Sequence, residues 1–187
     1  MRIFLPFFVV IIGLSSCKEE NKCKLVPKGI CQNSEFIDGR LKGLDLTDSN
    51  FSKANLSHAD LRGATLTGVN FTGANLTNAR FDKAKMDGVD ITDADASGAS
   101  FRMVKVSKLK ALNTNLRGAD FSESEMKDSN FENANFEGAD FRKSRFENNN
   151  LKGANFATTM IKDAKWTKIV CQDGSLLNET CPESKSK

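Results

Sequence analysis

The sequence predicts an all-β solenoid, in which the chain turns a corner every few residues and successive turns stack as parallel strands. Three observations predict it. A large apolar residue returns at every fifth position, a small residue stands two positions before it, and glycine and polar residues fill the rest. A fixed internal period that fits neither a helix nor a strand is typical of repeat architectures.

The central positions of this period run from Phe36 to Trp166 without an insertion or a deletion. They number 27, and only Ala96 and Ala111 among them are not large and apolar. Of the 14 phenylalanines, 11 fall in this register and the other three lie near the N-terminus. Steps of five would smear these side chains around an α-helix and alternate them between the faces of a flat strand. A chain that turns at every pentad sends all of them into one core.

Two further positions of the pentad are restricted. Alanine fills 13 of the 27 positions that lie two residues before a centre, and nine of the 13 glycines lie two residues after one. We expect the small residue to point inward beside the centre. The glycines and polar residues then form the corners and the outer surface.

One stretch departs from the pattern. Leu109 is large for its small position, and it stands beside the small centre Ala111. We interpret this as an exchange of volume within one coil, which protein cores tolerate. The alternative is a local bulge at 103–112, which would place Met103 and Leu112 on the outside.

The pattern, seen in ANLSHADLRGATLTG (54–68) and ANFEGADF (134–141), resembles the pentapeptide-repeat family, whose motif is A(D/N)LXX. The resemblance covers residues 36–166. It implies the fold of that family, a right-handed quadrilateral parallel β-helix with four pentads per coil, and therefore six to seven coils here. Columns of like residues one coil apart would then fill the interior, as Phe101, Phe121 and Phe141 do.

Residues 1–16 have the pattern of a signal peptide. A single arginine precedes an apolar run that ends at Leu14, and this run is too short to span a membrane. The sequence Leu14-Ser15-Ser16-Cys17 is similar to a bacterial lipobox, in which the cysteine is diacylated and becomes the first mature residue. An ordinary signal peptide cut near Cys17 is the alternative.

The residues after Cys17 bear on the cellular location. Lys18 is not the aspartate associated with inner-membrane retention, so we expect outer-membrane delivery, on the periplasmic side or at the cell surface. Lys18-Glu19-Glu20 is similar to a surface-export signal of some lipoproteins, although a solvated tether explains KEENK equally well. Residues 17–35 are then a tether and N-terminal cap, and residues 167–187 a C-terminal cap and tail.

Four cysteines remain, Cys23, Cys31, Cys171 and Cys181, and export favours disulfides between them. In the implied rod Cys31 and Cys171 lie at opposite ends, much further apart than the roughly 7 Å that a disulfide spans. The pairings Cys23–Cys31 and Cys171–Cys181 are therefore preferred, each closing a terminal loop. A zinc site is the alternative, but one histidine and these spacings do not fit it.

No constellation of catalytic residues stands out. The only histidine, His58, falls at a predicted corner, and there is no tyrosine, glycine-rich phosphate loop or metal-ligand cluster. We therefore predict a protein that is not an enzyme and that needs no cofactor or metal.

Charge is unevenly distributed along the rod. Residues 97–119 contain five basic residues and no acid, and residues 120–140 contain seven acids and one lysine. On coils these stretches become a basic belt beside an acidic belt, which attract one another. The candidate interaction surface consists of Arg102, Lys105, Lys108, Lys110, Asp120, Glu123, Glu125 and Asp128.

The best-known activity in the resembled family is DNA mimicry that protects gyrase. Only the acidic belt fits it, while export, lipidation, the basic belt and a net charge of +3 argue against it and against a nucleic-acid partner. We favour a lipid-anchored, non-catalytic rod of the bacterial envelope that serves as a structural or protein-interaction module, with an end suited to homodimer contact. Carbohydrate binding is the alternative, although every mature phenylalanine is predicted to point inward.

Overall fold

Each pentad ends in a turn, and these turns wind the chain into a parallel β-helix. The computed structural model describes residues 23–177. Bridges join residues 20 apart, from Ile30↔Asn50 to Asn150↔Val170, so that four pentads make one coil. The predicted right-handed quadrilateral β-helix is confirmed. The ladder spans seven coil steps and extends about one pentad beyond the predicted 36–166 at each end.

Four columns of central residues line the interior, one for each face of the rod. In steps of 20 residues, face one runs from Phe36 to Phe156, face two from Leu41 to Ile161, face three from Leu46 to Trp166 and face four from Cys31 to Cys171. Within each pentad we call the residue before the centre the bridge position, because it forms the bridges to neighbouring coils.

Most of the pairing is by single bridges, and longer strands occur on face three and at the C-terminal end. The strands are β1 (Lys105–Ser107), β2 (Glu125–Lys127), β3 (Arg145–Glu147), β4 (Lys165–Thr167), β5 (Ile169–Val170) and β6 (Leu176–Leu177). Strands β1 to β4 form one parallel sheet in chain order. Strands β5 and β6 pair antiparallel, so β6 adds a strand at the C-terminal end of face four. The described residues form no helix and hence none that could cross a bilayer.

The core is a set of stacked columns, as the sequence predicts. On face two Phe81, Phe101, Phe121 and Phe141 stack with ring centroids 4.8, 4.8 and 5.3 Å apart and nearly parallel planes. This spacing matches the distance of about 4.8 Å between neighbouring strands, so the spacing of the backbone ladder determines the distance between the rings. Burying such large rings contributes much of the hydrophobic stabilisation of the interior.

The corners are tight turns with a residue of positive φ. In a representative corner the amide of Ala54 donates to the carbonyl of Phe51 at 3.0 Å, and Lys53 between them has a φ of 57°. This is the arrangement of a type II turn, which favours glycine at the position of positive φ. Crowding adds a second reason at Gly68, where a Cβ would lie 2.2 Å from the Asp48 carboxylate.

The stretch around Leu109 shows a backbone change as well as an exchange of volume. Leu109 and Ala111 are both buried, Met103 is exposed and Leu112 is half-buried. The corner that precedes Leu109 opens, because its amide donates to Ser129 Oγ at 3.1 Å. The strands β2, β3 and β4 follow the same extended path one coil apart. The change is therefore a feature of face three and not a bulge confined to 103–112.

A disulfide joins Cys23 to Cys31 at the N-terminal end, with the Cα atoms 4.6 Å apart. Cys31 is buried and continues the central column of face four. Cys171 is also disulfide-bonded, and its predicted partner Cys181 lies outside the described residues. The predicted acylation site Cys17 lies outside them too.

Candidate interaction surface

The outward Asn and Asp side chains at the bridge positions accept hydrogen bonds from backbone amides. Asn70 Oδ1 accepts the amide of Thr72 at 2.8 Å, and Asp90 Oδ1 accepts that of Thr92 at 3.0 Å. These are Asx turns, which bind the amide two residues ahead and so help each corner to form. They give the D/N of the repeat motif a structural role, which the sequence analysis did not assign.

The same side chains also form ladders between coils. Asn155 Nδ2 donates to Asn135 Oδ1 at 3.0 Å, and Asn115 Nδ2 donates to Asp95 Oδ1 at 3.0 Å. On faces four and one such residues occupy nearly every bridge position: Asn50, Asn70, Asp90, Asn130, Asn150, Asn55, Asn75, Asp95, Asn115, Asn135 and Asn155. We call these two faces the amide faces. Their polar groups are largely used within the rod.

The predicted basic and acidic belts lie in consecutive coils. Arg102 and Asp120 lie on face two, and Lys105 and Glu125 lie at bridge positions of face three. Lys110 lies on face four, and Lys108, Glu123 and Asp128 occupy corners with positive φ. The eight residues therefore extend around three faces of the rod and do not converge on one site.

The two belts pair with each other and with neighbouring coils. Lys105 Nζ lies 3.5 Å from Glu125 Oε2, Arg102 Nε lies 3.7 Å from Asp120 Oδ2, and Lys110 Nζ lies 3.8 Å from Asp90 Oδ2. Each exposed pair contributes at most about 1 kcal/mol to stability. The larger effect is on the surface potential, because the acidic belt is partly neutralised by the basic belt beside it.

Three of the predicted residues remain outside these ion pairs. Asp128 Oδ1 accepts a hydrogen bond from Asn148 Nδ2 at 2.6 Å. Within the described part of the chain, Lys108 and Glu123 form no ion pair, and both are exposed at corners. These two side chains are the best placed of the eight to contact a partner.

Two aspartate–arginine pairs were missed by sequence reasoning. Arg142 Nη2 lies 2.6 Å from Asp140 Oδ2, and Asp140 is buried. Arg62 and Asp60 form the same pair at 2.5 Å. Hydrogen bonds from the arginine side chains hold the pKa of Asp140 and of Asp60 below the ordinary value, although partial burial opposes this shift. The sequence signal is Ala-Asp-apolar-Arg, present at 59–62 and at 139–142.

A shallow groove follows the open corner between faces three and four. Its lining consists of Asp128, Ser129, Asn130, Asn148, Asn149, Asn150, Lys168 and Val170. The buried side chains in it are satisfied: Ser129 Oγ donates to the carbonyl of Lys127, and Asn149 Nδ2 to that of Met126, both at 2.9 Å. Across residues 23–177 no buried polar side chain lacks a partner, and no acidic, histidine or cysteine cluster could hold a metal. His58 lies exposed at its predicted corner.

Stacked pentads whose polar groups are satisfied largely by neighbouring coils define a solenoid repeat protein. The chain belongs to the pentapeptide-repeat family. Residues 21–91 and 64–141 match the family description "Pentapeptide repeat region", and residues 129–165 match "Pentapeptide repeats (8 copies)". Proteins of this family are generally structural or interaction modules.

Two solved structures of the protein QnrB1 share the fold of this chain. A trypsin-treated form of QnrB1, a plasmid-mediated fluoroquinolone resistance protein, is 24% identical over 73% of this chain and 70% of its own, with a TM-score of 0.58. Full-length QnrB1 is 19% identical over 75% and 71%, with a TM-score of 0.56. HetL of the cyanobacterium Nostoc sp. strain PCC 7120, involved in heterocyst differentiation regulation, is 21% identical over 79% and 81%, with a TM-score of 0.48. At these identities the likeness concerns the fold alone. No curated protein matches the sequence.

Proposed function

We propose that this protein is a lipid-anchored, non-catalytic rod of the bacterial cell envelope that serves as a structural or protein-interaction module. The observation that carries the proposal is the use of the outward polar groups in Asx turns, amide ladders and cross-coil ion pairs. Catalysis needs polar groups that converge on a substrate. These groups instead repeat along the rod and are satisfied within it, which suits a structural or interaction module better than a catalyst.

The anchoring part of the proposal rests on the lipobox-like sequence that ends at Cys17. Cys17→Ala should abolish acylation, leave the signal peptide uncleaved and change how the protein partitions between membrane and soluble fractions. Mass spectrometry of the N-terminal peptide and fractionation of cells would measure these effects. Unchanged processing and partitioning would show that the lipoprotein assignment is wrong. We place the anchor in the outer membrane, and protease accessibility on intact cells distinguishes its surface from its periplasmic side.

The interaction part of the proposal is tested on the exposed charges that the rod leaves outside ion pairs. Cross-linking in the native cell, followed by purification, should capture a protein partner. The double reversal Lys108→Glu/Glu123→Lys should lower the yield of that cross-link several-fold if the belts form the contact. Lys143→Glu/Asp163→Lys, which exchanges two exposed corner charges further along the rod and also leaves the net charge unchanged, is the matched control. Equal cross-linking yields from the test variant and the control would show that the belts do not form the interface.

Contact between two copies is a further part of the proposal. The C-terminal coil exposes Met160 and Ile161, and Trp166 beside them is half-buried. Such a surface suits an isologous end-to-end dimer. Met160→Asp introduces the residue found in the same column at Asp120 and Asp140, so the coil should still form. Sedimentation velocity should then show a shift toward monomer, and a monomeric unmodified protein would exclude this contact.

Carbohydrate binding is a second candidate, favoured by one observation. Trp166 stacks on Phe146 with ring centroids 4.5 Å apart and remains half-buried, so one aromatic surface is partly accessible at this end. A glycan array decides the question, because binding to a defined glycan that is lost in Trp166→Ala would favour this function. The DNA-mimic alternative needs a free acidic surface, which the pairing of Asp120 and Glu125 with the basic belt reduces. Protection of gyrase in a supercoiling assay would support it.

A further inference from the structure

The first coil of the rod breaks the rule that outward positions are polar. Ile30 is 58% exposed at a bridge position of face four, where the next coils have Asn50 and Asn70. Ile37 is 55% exposed on face one, in the column that continues with Ser57 and Thr77. Ile30 and Ile37 are therefore exposed apolar residues that the repeat itself does not require.

The segment before Ile30 has the same character. Val26 is 48% exposed, and Lys24 and Lys28 on either side of it are exposed. Residues 24–30, KLVPKGI, contain no acidic residue, and within the described part of the chain neither lysine forms an ion pair. We call Val26, Ile30 and Ile37 with these two lysines the basic-apolar end.

The backbone of this segment is held in place, so its side chains are presented in a fixed arrangement. Ser49 Oγ donates to the carbonyl of Val26 at 2.9 Å and accepts the amide of Gly29 at 3.1 Å. At Gly29 a Cβ would lie 2.1 Å from the Lys24 carbonyl oxygen, so the turn is closed tightly. The disulfide between Cys23 and Cys31 ties the two sides of the same loop.

We propose that the basic-apolar end is a membrane-contact surface that lies in the lipid headgroup region. This inference rests on the proposed acylation of Cys17. Cys17 precedes Cys23 by only a few residues, which reach at most about 20 Å when fully extended. The anchor therefore keeps this end of the rod within about 20 Å of the bilayer surface.

The chemistry of the surface fits this occupant. Partly exposed aliphatic side chains gain by entering the headgroup boundary, and lysines beside them attract anionic lipids. The two acyl chains of a diacylated cysteine give stable attachment, and a contact surface on the protein adds to it. The basic-apolar end is that contact surface. It orients the rod end-on, because Ile30 and Ile37 extend from two neighbouring faces of the first coil and reach the bilayer together only when this end points at it.

The test uses the lipoprotein expressed from its full reading frame and reconstituted into vesicles. These contain phosphatidylethanolamine, phosphatidylglycerol and a lipid with a photoactivatable diazirine on its acyl chain. After photolysis, reduction and trypsin, the peptide 29–40 should carry the lipid adduct. The peptide 153–162, which contains the exposed Met160 and Ile161 of the far end, should carry little.

The residue types one coil further along each column can be used to design matched variants. Ile30→Asn/Ile37→Ser installs residue types found one coil further on, so the rod should fold normally. This variant should lower labelling of the 29–40 peptide on the order of tenfold, since the apolar side chains that enter the lipid are lost. Met160→Asp at the far end should leave labelling unchanged.

The outcomes separate this inference from the anchoring proposal. An acylated Cys17 peptide with adducts in 29–40 supports both. An acylated Cys17 peptide without adducts in 29–40, or with that peptide cross-linked to a second copy of the chain, overturns the inference and leaves the anchor intact. An unacylated Cys17 peptide, with no adduct anywhere, overturns the anchoring proposal and the inference that rests on it.

Discussion

At the scale of single residues, the outward Asn and Asp side chains of this rod are part of its backbone hydrogen bonding. Asp140 shows this most clearly, because it accepts the amide of Arg142 at 2.9 Å and also binds its guanidinium. The two contacts have different requirements. The first needs only an acceptor oxygen, and the second needs the charge.

Substitutions at Asp140 should separate these two contributions. Asp140→Asn keeps an acceptor for the Arg142 amide and loses the charge, so it should lower the free energy of unfolding by less than about 1 kcal/mol. Asp140→Ala loses both and should cost about 1–2 kcal/mol. Denaturant midpoints measure the difference, with the exposed Asp163→Asn as control. Equal losses from the two substitutions would contradict a structural role for the acceptor oxygen.

The lowered pKa values of Asp60 and Asp140 predict how stability depends on pH. Because folding lowers these pKa values, the pairs with Arg62 and Arg142 contribute their full stability above the ordinary carboxyl pKa. That contribution is lost as the pH falls through the lowered values. The melting temperature should therefore drop below about pH 4. In Asp60→Asn/Asp140→Asn this drop should be smaller, and an identical pH profile would refute the assignment.

The corner at Thr158 provides a test of backbone strain. Thr158 is β-branched and has a φ of 57°, whereas Gly138 stands one coil earlier in the same column. Thr158→Gly should raise stability by about 1 kcal/mol, because a left-handed conformation is unfavourable for a branched residue. Gly138→Thr should lower it by a similar amount. A Cβ at Gly138 would have its nearest neighbour 3.8 Å away, so the comparison measures conformation and not crowding.

At the scale of elements, face three differs from the other faces because its corner opens from β1 onward. The amides left without a turn partner donate to side chains one coil further on, as Leu109 does to Ser129 and Ser129 does to Asn149. A buried polar column thus replaces the usual corner hydrogen bond.

Ser129 tests this replacement. Ser129→Ala removes the acceptor of the Leu109 amide and the donor to the Lys127 carbonyl, and should cost about 1–3 kcal/mol. Ser129→Val introduces the residue that occupies the same column at Val69 and Val89, where regular corners form. If packing alone mattered, valine would be neutral or better than serine. We expect it to destabilise the rod, as measured by equilibrium unfolding.

The sequence predicts the faces and the core of this rod, but not the open corner. The central columns follow from the period, because every coil needs large apolar residues at its central positions. The open corner does not follow from the period. Ser49 and Ser129 are the same residue type in the same column, and yet they form different corners. Ser49 donates its amide to the Leu46 carbonyl in a regular turn, and Ser129 does not. The difference depends on Asn149 in the next coil, a contact between residues 20 apart.

For the candidate surface, the sequence shows the composition of the two belts but not the contacts of their side chains. Both belts are visible in the sequence, and their stacking follows from the coil length. Which side chains pair is not visible, because Lys105 reaches the residue directly above it, while Arg102 reaches diagonally to Asp120. The choice depends on side-chain length and direction at each corner.

At the scale of the whole molecule, the bridges and cross-coil backbone hydrogen bonds of residues 23–177 join neighbouring coils, so stability should be local. Cys23→Ser/Cys31→Ala removes the N-terminal disulfide, which closes a short loop and contributes about 2–3 kcal/mol in the entropic account. Amide hydrogen exchange should become faster in the first coil, around Leu41, and remain unchanged near Phe101. A uniform increase along the chain would show that the rod unfolds as one cooperative unit.

The unbroken spacing of 20 residues between bridge partners also determines how such a chain can change in length. Removal of residues 71–90 would delete one complete coil and leave every column in place, shortening the rod by about 4.8 Å. Removal of a single pentad would instead rotate everything downstream by a quarter turn, moving the Phe121 column from face two to face one. The length of the rod can therefore change only in steps of one whole coil if every column is to stay in place. Duplication or deletion of one coil would change its length without moving a column, and substitutions would change only the side chains displayed along it.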